Sequence, residues 1–130
     1  MTKNTSVSFC SVSSYKVEDK DLAITSQVQC LQNYADNKEL TIAKTFISTD
    51  GDKRELINEM FDFIARNKIN NILVCRFENL SRNHKDLCLF NEWLGKGANR
   101  ELHIVCQEVT LIAEIESYIE LTRQTLRYKQ

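Results

Sequence analysis

The sequence predicts an α/β domain built on an open, mostly parallel four-stranded (or five-stranded) sheet covered by helices. Two observations carry that expectation. Short apolar runs of strand length alternate four times with longer stretches of helical periodicity. The most apolar of those runs, within residues 69–77, reads as a central strand buried on both faces, as in a parallel sheet.

Residues 5–12 alternate and are rich in small or β-branched side chains, as a strand requires. Residues 22–37 place Leu22, Ile24, Val28, Leu31, Tyr34 and Ala35 at helical intervals. A second strand is expected over 40–47, with Ile42, Phe46 and Ile47 as its apolar members. Thr49-Asp50-Gly51-Asp52 reads as a turn, and Asp52 can cap the next helix. Leu56, Ile57, Met60, Phe61, Phe63 and Ile64 then resume helical spacing as far as Asn67. Residues 69–77 hold the most apolar short run, Ile72-Leu73-Val74-Cys75, and predict a central buried strand. Leu87, Leu89, Phe90, Trp93 and Leu94 mark a third helix that stops at Gly95-Lys96-Gly97. Residues 101–108 predict a fourth strand, and 111–128 a last helix. One domain over residues 1–130 is the simplest organisation.

Composition narrows the function classes. Seventeen basic and eighteen acidic residues leave a net charge of −1, so no general attraction to DNA or anionic membranes is expected. The five cysteines include no Cys-x-x-Cys pair, so no zinc ribbon or thioredoxin motif is supported. Cys10, Cys75 and Cys106 fall in apolar strand-like runs, where a reduced thiol packs as a small hydrophobe. A reducing, cytoplasmic setting is implied, with no membrane contact, no metal ligands and no cofactor expected.

In sheets of this kind functional groups gather at the carboxyl ends of the strands. Three polar clusters fall there: Ser11 to Ser14, Ser48 to Arg54, and Glu78 to Asn83. Each alone reads as loop or capping material, although an Arg at a strand-end crevice suits bidentate phosphate contact. His84 comes directly after the third cluster, and His103 alternates on a strand without an evident metal partner.

Together the clusters resemble the catalytic domain of the serine site-specific recombinases, the resolvases, invertases and large phage-type integrases. That family typically carries Tyr-x-Arg-Val-Ser after its first strand, and Phe9-Cys10-Ser11-Val12-Ser13 stands in the matching stretch. Gln27 lies fourteen residues after Ser13, the spacing of the helix-borne Gln in the large members. Ser48 and Arg54 match the Ser-Gly loop leading to Arg. Glu78-Asn79-Leu80-Ser81-Arg82-Asn83 is similar to the family's Asp-Arg-Leu-Ser-Arg-Asn. The resemblance runs from about residue 5 to residue 108.

The resemblance implies site-specific DNA recombination of a mobile element without a metal. Ser13 would attack a phosphodiester, with catalytic positions at Ser48, Arg54, Glu78 and Arg82. DNA contacts would come from Gln27, Ser81, Arg54 and Arg82. It also implies a homodimer or tetramer through the last helix, with Leu111, Ile115, Tyr118, Ile119 and Thr122 at the interface. Ser11 and Asn79 stand where the family has Arg, and Val17 where it has Gln, which implies an impaired or inactive enzyme. The alternative is a non-catalytic oligomerisation or regulatory module that keeps the fold. Lys16, Lys20 and Lys53 are nearby cations, and the sequence leaves open whether one of them replaces the lost guanidiniums. A Lys supplies charge but not a planar fork.

Overall fold

A computed structural model describes residues 4–12, 20–49, 53–80, 84–97 and 99–111. Its strands are β1 (Thr5–Ser11), β2 (Thr41–Ser48), β3 (Asn71–Val74), β4 (Glu101–Ile104) and β5 (Val109–Leu111). The helices are α1 (Lys20–Asn37), α2 (Arg54–Asn67) and α3 (His84–Lys96). The sheet order is β2-β1-β3-β4-β5, with all neighbours parallel except the antiparallel β4–β5 pair.

The alternation of side chains along the strands divides the interior in two. Val7, Phe9, Ile72, Val74, Leu102 and Ile104 meet Ile57, Met60 and Ile64 of α2 and Phe90, Trp93 and Leu94 of α3. Cys10, Leu73 and Cys75 instead meet Leu31 and Ala35 of α1. Among the described residues, one helix covers one face and two cover the other. The α1 face is the thinner: Leu22 and Val28, which share the helical spacing, stay exposed. The burial of the β3 segment explains why Ile72 to Cys75 is the most apolar run in the chain.

The direction in which successive strands are added to the sheet reverses between β1 and β3. From β1 the chain moves outward through α1 to β2; from β2 it returns through α2 to the far side of β1. In parallel sheets such a switch point is where adjacent connections diverge and a crevice forms at the carboxyl edge, which marks the ends of β1 and β3 as the place to look for a site.

Two expectations are corrected. The fourth strand ends at Ile104 and gives way to a 3-10 turn over Val105–Gln107, because Glu108 adopts a left-handed conformation (φ 55°) that turns the chain back. Leu111 does not begin a helix: it closes β5, paired with Leu102, and packs against the larger core. A three-residue strand is too short to register as an alternation, so the apolar pattern from 111 onward reads as helical in the sequence. Ile115, Tyr118, Ile119 and Thr122 lie outside the described residues. Among the described residues, no helix is long and apolar enough to cross a membrane.

Candidate active site

The crevice between β1 and β3 holds a connected set of polar groups. Ser11 ends β1 and is buried, in register with Ser48 at the end of β2. The pairing of β1 with β3 stops at Phe9 and Val74, so the peptide groups of Ser11 on that side have no ladder partner. Gln27 of α1 takes over. Its Oε1 accepts from Ser11 N at 3.0 Å, and its Nε2 donates to Ser11 O at 2.8 Å. This supplies what the sheet does not, since buried backbone groups are costly to leave unmade.

After β3 the chain makes a 3-10 turn, Phe77–Asn79, that bends back over Ser11. Asn79 Oδ1 accepts from Arg76 N at 2.9 Å, and Phe77 N donates to Gln107 Oε1 at 2.9 Å. Those two bonds fix the turn. The Ser11 hydroxyl donates to Asn79 O at 2.7 Å. The Lys53 ammonium, brought in from the residue before α2, donates both to Ser11 Oγ (3.0 Å) and to Asn79 O (3.1 Å). The end of β1 and the turn after β3 thus share one cation, carried by the residue that precedes α2.

Arg54 opens α2 beside Lys53. Its Nε lies 3.4 Å from Oδ1 of Asp86, a buried carboxylate in the first turn of α3. That turn's unpaired N–H groups favour a negative charge. The guanidinium remains about half exposed. Glu78 is exposed on the 3-10 turn, whereas its neighbour Asn79 reaches Ser11.

The structure therefore brings Gln27 and Ser48 to Ser11, whereas Arg54 is held at Asp86 of α3 and Glu78 is exposed on the turn beside Asn79. Ser13, Ser81 and Arg82 lie outside the described residues. By sequence alone Ser11 and Asn79 register only as losses. Nothing there singles out Lys53 from the other lysines, although its place directly before a helix, just after the Ser48 loop, is the available signal.

The sequence model described as Resolvase, N terminal domain, matches residues 7–125. The chain belongs to the resolvase N-terminal domain family. Solved structures agree on the fold of this serine-recombinase domain. The N-terminal catalytic domain of TP901-1 integrase is 16% identical with a TM-score of 0.66, covering 95% of this chain and 94% of that one. A resolvase family site-specific recombinase from Streptococcus pneumoniae is 14% identical with a TM-score of 0.72, covering 96% and 91%. Among curated proteins no relative matches. Membership associates the domain with site-specific recombination, and the expected α/β resolvase-like architecture is the one observed.

Proposed function

We propose that this recombinase domain cleaves and rejoins DNA through Ser13, with Lys53 supplying part of the charge that the family draws from arginines. The Ser13 hydroxyl oxygen would bond to a phosphorus of the DNA backbone as the bond to the 3′-oxygen breaks. The serine proton leaves to a base or water, and the departing 3′-oxygen gains one. A 5′-phosphoserine link retains the energy for rejoining to another strand. Such a transition state concentrates negative charge on phosphoryl oxygens and demands fixed donors.

The observation that supports this reading is the seat of Lys53. Its ammonium is held by Ser11 and Asn79, the two positions where the resembling family carries Arg. Side chains shorter than Arg stand at these positions, and the lysine reaches the Ser11 hydroxyl and the Asn79 main-chain carbonyl. Arg54 and Arg82 complete the proposed cation set, with Ser48, Ser81, Glu78 and Gln27 around it. A Lys lacks the bidentate fork, so the expected activity is weaker than that of a full arginine set. The domain would act in the cytoplasm as a homodimer or tetramer, through the segment that follows Leu111.

A second reading has one observation in its favour: Arg54 already pairs with Asp86. A non-catalytic module that keeps the fold and self-associates would need no cation aimed at phosphate. The two readings separate in one experiment. The full-length protein is incubated with nicked duplexes tiled across the DNA surrounding its own gene, then analysed by denaturing gel and mass spectrometry. The catalytic reading expects a protein–DNA adduct on Ser13, lost in Ser13→Ala. Self-association without any adduct would favour the module, and an adduct surviving Ser13→Ala would refute the assignment of the nucleophile.

A further inference from the structure

Behind the crevice, on the α1 side of the sheet, the fold assembles three thiols from three separate elements. Cys30 comes from α1, Cys75 comes directly after β3, and Cys106 lies in the 3-10 turn after β4. Their sulfur atoms all lie within 4.8 Å of one another, and Cys30 Sγ and Cys106 Sγ are 3.7 Å apart. Cys75 is buried at the base, Cys30 is half-buried and Cys106 is exposed. We propose that Cys30, Cys75 and Cys106 form a binding site for a soft thiophilic cation of the Zn(II), Cd(II) or Cu(I) type, with one coordination position open to solvent.

The spacing is that of a ligand set. With zinc–sulfur bonds of about 2.3 Å, tetrahedral geometry puts neighbouring sulfurs about 3.8 Å apart and trigonal geometry about 4.0 Å. One pair already stands at 3.7 Å, and the largest separation exceeds these values by no more than a side-chain rotation can close. The backbone supports the array, since Cys106 N donates to Cys75 O at 2.8 Å. The Cys75 thiol faces Gln27 O at 3.7 Å. The exposed Cys106 provides the entry path, and thiolates select soft ions over Mg²⁺ or Ca²⁺.

Metal binding at this cluster has to displace the thiol protons. Burial, and the proximity of the other two sulfurs, push the Cys75 thiol up well beyond the ordinary thiol range, and burial also raises Cys30. Thiolates this close repel one another unless a cation lies between them. Binding an M²⁺ ion forms three metal–sulfur bonds and releases three protons to solvent, leaving a complex of net charge −1. The ion would tie α1 to the ends of β3 and β4 on the face where apolar packing is thinnest, one helical turn from Gln27.

Metal binding at this cluster is independent of the recombination chemistry, and its test needs no DNA. Reduced, metal-free protein is titrated with Cd(II) while the ultraviolet thiolate-to-cadmium charge-transfer band, the melting temperature and the released protons are recorded. The expected result is one equivalent bound, protons released on binding and a higher melting temperature. Cys30→Ser and Cys106→Ser should each weaken binding on the order of 100-fold, because site affinity is divided over few ligands. Cys88→Ser, outside the cluster, should bind as the parent does. The Cys30 and Cys106 variants alter the less buried thiols and so do not depend on a core substitution at Cys75. Failure to bind one equivalent, or binding unchanged in both variants, would overturn the proposal.

Discussion

Gln27 carries the end of β1, and its removal offers a quantitative test of how the crevice is held. In Gln27→Ala the Ser11 N–H loses its 3.0 Å acceptor, and the Ser11 carbonyl loses its 2.8 Å donor. Only the long 3.4 Å contact from Asn79 Nδ2 remains on that carbonyl. Ser11 is buried, so water replaces these partners poorly. Two hydrogen bonds, one leaving a buried donor unmade, amount to about 1–3 kcal/mol. For a domain of this size, that lowers the melting temperature by about 5–10 °C. Calorimetry and urea unfolding should report it with an unchanged urea dependence, because the surface exposed on unfolding is the same. Gln27→Glu adds a sign. Its ionised carboxylate can accept from Ser11 N–H, but its second oxygen faces the Ser11 carbonyl. The fold therefore favours the protonated acid, and this variant should regain stability as pH falls through its titration. A melting temperature within about 1 °C of the parent for Gln27→Ala would refute the clamp.

Three further outcomes rest on particular contacts. Lys53→Met keeps the stem and removes the ammonium, so adduct formation should fall by about 10²–10³ while the melting temperature changes little, and Lys53→Arg should retain most of the yield; an unaffected adduct yield for Lys53→Met would remove Lys53 from the chemistry. His103 is buried with Tyr34 Oη at 2.7 Å from Nδ1 and Asn71 Oδ1 at 3.0 Å from Nε2, and burial lowers its pKa even though Glu101 at 3.2 Å pulls it back and Lys38 adds to the lowering. The unfolded chain then binds the extra proton first, so stability should be full above about pH 6.5 and decline below it, and His103→Gln should flatten that part of the urea-unfolding pH profile. Phe90 is fully buried, with its ring 5.1 Å from that of Phe61, so Phe90→Ala should cost about 3–5 kcal/mol in urea unfolding, and a loss below about 1 kcal/mol would contradict the packing described for α3.

The sequence by itself determined the layered architecture. Strand-length apolar runs and helical periodicity are local properties, and burial on both faces leaves its mark on Ile72 to Cys75 wherever the strand lies in the sheet. The recombinase likeness was legible for the same reason, since its motifs are short and ordered along the chain. Strand order, the crevice and the seat of Lys53 were decided only by tertiary structure. Lys53 meets Ser11 and Asn79 across 42 and 26 residues of chain, and no local pattern marks which lysine will be carried there. The thiol cluster is more remote still: Cys30 and Cys106, 76 residues apart, share no spacing motif. Their sulfurs converge because the parallel strands β3 and β4 end at the same edge, where α1 packs across that face of the sheet. That convergence is a property of topology, which periodicity in the sequence does not encode.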